Sequence, residues 1–117
     1  MARISVYLFL LPFLALAEEE PEVIFHKAPT PISPEAKTSD WPRFLGPTDD
    51  CRTPETHLID SFPESGPPLV WEREKGSGYT TPVFLDGKLV MFDRFGDEEV
   101  IECLEPETGQ RRWTFSY

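Results

Sequence analysis

The sequence predicts an all-β protein, one antiparallel sheet of four strands preceded by an irregular, proline-rich arm. Three observations predict it. Asp86-Gly87 stands between the apolar runs Val83-Phe84-Leu85 and Leu89-Val90-Met91-Phe92, and an Asp-Gly pair so placed is a strong hairpin signal, because a type I′ turn needs positive φ at both central residues. Two further turn-forming stretches, Asp93 to Glu99 and Pro106-Glu107-Thr108-Gly109, follow at the spacing of a meander. Ten of the 13 prolines fall between Pro21 and Pro68, a density that neither a regular sheet nor a helix bundle tolerates.

Residues 1–17 read as an export signal. Arg3 supplies the positive start, Ile4 to Leu14 the apolar stretch, and Ala15-Leu16-Ala17 a small-x-small cleavage site before Glu18-Glu19-Glu20. The apolar run falls short of the roughly 20 residues that a membrane-spanning helix needs, and no cysteine follows the cleavage site to carry a lipid. The expected location is secreted or periplasmic, with no stable membrane span after cleavage.

Cleavage leaves 21 acidic against 10 basic side chains, a net charge of −11. Nucleic acid is excluded as a partner for such a surface, since phosphate binding depends on clustered Lys and Arg. The acidity serves the solubility of an exported chain.

Residues 18–39 mix charge with proline and read as an extended, disordered linker, in which Val23-Ile24-Phe25 is a small apolar patch with two readings, docking on a partner or on the folded part, or the commoner one of a transient contact only. Residues 40–68 are different, because aromatic and turn residues alternate. Trp41 and Phe44 are large apolar anchors, and Pro42, Gly46 and Pro47 bend the backbone so that both rings face one way. Pro54 to Leu58 reads as a short helical turn within an irregular loop.

Residues 69–117 carry the strand chemistry. Leu69 to Glu74 is a first strand and Lys75-Gly76-Ser77-Gly78 a flexible turn. Tyr79 to Leu85 is the next strand, with Pro82 at an end or an open side because it cannot donate to a ladder. Lys88 to Asp93 contains four consecutive apolar residues, so both of its faces are expected to be covered. Glu99 to Leu104 is wetter, and Gln110 to Phe115 is the outermost strand, carrying Trp113. Forty-nine residues of sheet bury too little apolar surface to fold securely alone, so the chain is expected to be the opening of something longer.

The segment Leu104-Glu105-Pro106-Glu107-Thr108-Gly109-Gln110-Arg111-Arg112-Trp113 resembles the blade repeat of the pyrroloquinoline-quinone-like (PQQ-like) β-propellers, in which a strand leads through an acidic turn to Thr-Gly and then Trp. Thr108, Gly109 and Trp113 keep that pattern, whereas Glu105 stands where the family usually has Asp. Tyr79-Thr80-Thr81-Pro82 resembles the family's innermost strand, and Asp40-Trp41-Pro42-Arg43-Phe44-Leu45-Gly46-Pro47 is similar to the segment that precedes its first blade. The resemblance implies a four-stranded blade flanked by downstream propeller blades, with the arm lying on the propeller surface. It implies two functional branches, non-catalytic protein-binding scaffolds and quinoprotein dehydrogenases that hold PQQ and calcium. Only one period of the repeat is visible, and fold does not choose between the branches.

Candidate chemistry is sparse. His26 and His57 have no Cys or carboxylate at metal-ligand spacing, and no P-loop, nucleophile elbow or dinucleotide fingerprint is present. The acidic turn Asp93 to Glu99 lacks the spacing of a calcium loop and reads as a solvated hairpin turn. The dehydrogenases' stacking Trp, calcium carboxylates and adjacent cysteine pair have no counterpart here, so no catalytic, cofactor or metal residue is assigned. Two alternatives stay open for Cys51 and Cys103. Paired, they would tie the arm to the blade with roughly 4 kcal/mol from loop closure; unpaired, Cys103 is a small apolar residue of its strand. The expected function is a non-catalytic scaffold or binding platform with an unidentified protein partner; the alternatives are a dehydrogenase whose active site lies elsewhere and a small secreted β-domain.

Overall fold

In a computed structural model the protein is described over residues 21–117; the export-signal reading of residues 1–17 lies outside them, as does the start of the linker. The described residues hold six strands: β1 (Val23–Phe25), β2 (Trp71–Arg73), β3 (Val83–Leu85), β4 (Lys88–Phe95), β5 (Glu98–Leu104) and β6 (Arg111–Ser116). They form no helix, and so none long and apolar enough to cross a membrane. A four-stranded sheet has the order β3-β4-β5-β6, every neighbour antiparallel and sequential, and β1 and β2 make a separate antiparallel pair.

The expected turns are where the local chemistry puts them. Asp86 and Gly87 both have positive φ, 49° and 66°, the requirement for a two-residue hairpin turn. The stretch from Asp93 to Glu99 is narrower than expected, because β4 runs on to Phe95 and β5 restarts at Glu98. Arg94, in register with Glu99, holds the shortened turn, its guanidinium donating to the Gly96 carbonyl at 3.1 Å and to Asp97 Oδ1 at 3.4 Å. No helical turn forms at Pro54 to Leu58, and His57 has a φ of 61°, outside the right-handed helical region.

Register divides the four-stranded sheet into two faces. Leu89, Met91 and Asp93 share one with Leu104, Glu102 and Val100; Val90 and Phe92 share the other with Cys103, Ile101, Trp113 and Phe115. Cys103 and Leu104, adjacent on β5 and pointing oppositely, are fully buried. The β5–β6 register shifts beside them, leaving Arg112 as the extra residue of a bulge.

Two corrections concern the segments outside this sheet. Val23–Phe25 docks on the folded part, the less expected of its two readings, as a strand whose residues pair with Arg73, Glu72 and Trp71. Trp71–Arg73 in turn leaves the four-stranded sheet for that pairing. The reason is that β4 is eight residues long and β3 only three, so the inner edge of β4 is completed differently. Ser77 and Arg94 exchange two backbone hydrogen bonds, at 2.9 and 2.8 Å, and the Thr80 hydroxyl donates to the Phe92 carbonyl.

Candidate functional site

The chemistry-bearing residues gather where β2 and the segment after it cross the first face of the sheet. Side chains alternate along an extended chain, so Trp71, Arg73 and Lys75 point the same way, and each meets a different part of the sheet. Trp71 lies over Gly109 in the β5–β6 turn, Arg73 reaches Glu102 on β5, and Lys75 reaches Asp93 on β4. The chain from 71 to 77 is therefore a strap across the sheet.

At its first contact the Trp71 indole N–H donates to the Pro106 carbonyl at 2.8 Å. A Cβ on Gly109 would lie 2.5 Å from Trp71 Cε3, and Gly109 has a φ of 71°. Glycine is required there twice over, by conformation and by the ring.

At the second, Arg73 Nη2 donates to both oxygens of Glu102, at 2.9 and 3.0 Å, and Arg111 Nη1 approaches Oε1 at 3.4 Å. The Arg73 and Glu102 side chains are only 5% and 4% exposed, so removing either would strand a buried charge. Arg73 Nη1 has no hydrogen-bond partner among the described residues.

At the third, Lys75 Nζ lies 3.5 Å from Oδ1 of buried Asp93 and donates to the Gly78 carbonyl at 3.3 Å. Gly76 is pressed so closely to β4 that a Cβ would sit 2.6 Å from the Arg94 carbonyl oxygen. The Gly-Ser-Gly run, read as a flexible turn, is thus the part of the strap that touches the sheet backbone. Beyond the strap the face opens into a groove of about 530 Å³, lined among others by Phe95, Glu98, Val100 and Thr114.

The sequence-predicted residues distribute unevenly around this junction. Trp41 pairs with Phe84 through two backbone hydrogen bonds of 2.9 Å, capping the outer edge of β3, and its ring covers Gly46, whose φ is 82°. Arg43 donates to the Pro47 carbonyl at 3.1 Å, and Pro42 is half-buried nearby. Phe44 does not join Trp41 as an anchor; it is exposed, because the turn that seats one ring on Gly46 leaves the other outside. Pro82 immediately precedes β3, where its missing N–H is harmless, and Tyr79 is fully exposed. The Asp86 N–H donates to Asp40 Oδ1 at 3.3 Å, tying the arm to the hairpin.

Thr108 and Gly109 form the turn as expected, with the Gly109 N–H donating to the Glu105 carbonyl at 2.8 Å. Glu105 also holds Arg112, whose pKa is raised chiefly by that hydrogen bond and further by the carboxylate's charge. Trp113, the conspicuous Trp of the segment, lies on the opposite face and is half exposed. Trp71 is the ring that packs on the Thr-Gly turn, and the period-2 spacing of Trp71, Arg73 and Lys75 was the signal available for it.

Cys51 and Cys103 are separate thiols. Cys51 is exposed in the arm at a φ of 58°, while Cys103 is buried in mid-strand, so the bridge between the arm and the four-stranded sheet is not formed. Among the described residues no group of three or more His, Cys, Asp or Glu comes together as a metal site. No protein-family model, curated protein or solved structure matches the chain.

Proposed function

We propose that the chain supplies the arm and first blade of an exported PQQ-like β-propeller protein that serves as a non-catalytic scaffold. The observation that carries this reading is the asymmetry of the sheet. Its four strands run in sequential antiparallel order, one face is strapped by residues 71–77, and the other carries Trp113 and Phe115 exposed on β6, with Val90, Phe92 and Ile101 half-buried around the enclosed Cys103. An apolar face beside a finished one is what a blade offers to a neighbour, since a sheet open on one apolar side gains stability only when another layer covers it.

The non-catalytic part of the reading rests on how the buried charges are used. Arg73, Glu102, Lys75 and Asp93 hold the strap to the sheet, and none of them is left poised beside a nucleophile. Protein-binding platforms need such rigidity and no reactive constellation.

A dye that fluoresces on exposed apolar surface tests the reading. The purified chain should bind it, and Trp113→Lys or Phe115→Lys should abolish most of the signal. A monomer that melts cooperatively and binds no dye would overturn the blade assignment in favour of a free-standing β-domain.

A further inference from the structure

We infer that the outer edge of β6 is a self-pairing surface, through which two copies of this chain join antiparallel into one continuous sheet. The inference concerns the strand edge and not the apolar face, so it goes beyond the scaffold reading and is compatible with it. The other edges of the four-stranded sheet are closed: Trp41 caps β3, and Ser77 and Thr80 complete β4. Among the described residues nothing pairs with the outer side of β6.

The register shows which groups that edge presents. Glu99 and Tyr117 exchange two backbone bonds, 3.2 and 3.1 Å, and hydrogen-bonded pairs alternate along an antiparallel ladder. Phe115 and Trp113 therefore bond inward to Ile101 and Cys103, while the N–H and C=O groups of Thr114 and Ser116 point outward. Two β6 strands related by a two-fold axis at Phe115 place Thr114 opposite the partner's Ser116, so that each pair exchanges two hydrogen bonds.

The same register is self-complementary in its side chains. Phe115 falls opposite the partner's Phe115 and Trp113 opposite the partner's Tyr117, all on one face and at the non-hydrogen-bonded positions where cross-strand rings approach most closely. In the structure these rings are 48% (Trp113), 58% (Phe115) and 68% (Tyr117) exposed. The window from Trp113 to Tyr117 contains no charged side chain and no proline, the devices that normally keep an edge strand from pairing. Arg112, the nearest charge, is turned to Glu105 at the bulge and ends the window. The occupant is a second copy because the edge matches itself; the formal charge of −10 on each chain opposes the encounter at long range, and salt screens that opposition beyond about 10 Å at 0.1 M.

Sedimentation of the full chain over a range of concentration and salt tests the inference, combined with residue-resolved hydrogen exchange. The mass should double with rising concentration, at lower concentration in higher salt, and the amides of Thr114 and Ser116 should become protected in step. Ser116→Pro removes an outward-pointing backbone donor, which an edge strand tolerates, and Thr114→Pro removes another together with the long 3.4 Å bond from its hydroxyl to the Ile101 carbonyl; each should weaken the dimer at least about tenfold with the circular dichroism of the monomer unchanged. A monomer under all conditions, assembly beyond a dimer, or Thr114 and Ser116 amides that exchange equally fast at every concentration would overturn the inference. A dimer unaffected by either proline would place self-association on the apolar face, leaving the blade reading intact and this one refuted.

Discussion

The indole of Trp71 packs against Gly109, 38 residues further along the chain, where a Cβ would come within 2.5 Å of the ring. A turn glycine and a strand tryptophan thereby form a single unit that seats the strap on the sheet. Gly109→Ala should cost about 2 to 5 kcal/mol, combining left-handed strain with overpacking. Gly87, also at positive φ, has no atom within 4 Å of its would-be Cβ, so Gly87→Ala should cost only the conformational part, about 1 to 2 kcal/mol. Urea unfolding of the two variants side by side checks this; equal losses would show that the ring contact contributes nothing.

The ion pairs should divide sharply by burial. Glu102→Ala leaves two guanidinium groups facing each other with the carboxylate gone and should cost about 3 to 5 kcal/mol. Arg43→Ala, which breaks the exposed pair with Asp49, should cost under about 1 kcal/mol. Chemical denaturation midpoints at constant slope provide the comparison, and a surface-like value for Glu102→Ala would place the Arg73 contact in solvent.

The two tryptophans should behave oppositely. Trp71→Phe keeps most of the ring but strands the Pro106 carbonyl, a loss of about 1 to 3 kcal/mol. Trp113→Phe, at a half-exposed site where the indole makes no side-chain hydrogen bond among the described residues, should change stability by less than about 0.5 kcal/mol. Thermal melts followed by circular dichroism distinguish them, and a reversed order would exchange the packed and the open face of the sheet.

Thiol labelling should read the burial of the sheet directly. Cys51 should react at once in the native state, while buried Cys103 should lag by at least a factor of about 100, the ratio imposed by an opening cost of roughly 3 kcal/mol. A single fast phase for both would mean that β5 is not the centre of a stable sheet.

Much of the fold was legible because its causes are local. Asp86-Gly87, the apolar run Leu89 to Phe92 and Thr108-Gly109 each dictate a turn or strand within a few residues, and the meander order follows from turns too short for any crossover. The junction was less legible. Val23-Ile24-Phe25 has strand chemistry, but three residues amid prolines become a strand only with a partner, and that partner is 46 to 50 positions away. Leu69 to Glu74 alternates as a sheet strand would, and nothing in the alternation says that it lies across the sheet instead of within it.

What the sequence by itself determined was the four-stranded meander and the positions of its turns, because backbone conformation at Asp86, Gly87 and Gly109 and the period of the apolar residues act over a few bonds. What only the tertiary structure decided was which ring covers the Thr-Gly turn, which charges are buried together and which face stays open. Those outcomes depend on contacts between residues dozens of positions apart, where side-chain chemistry permits several partners and the packing of the whole chain selects one.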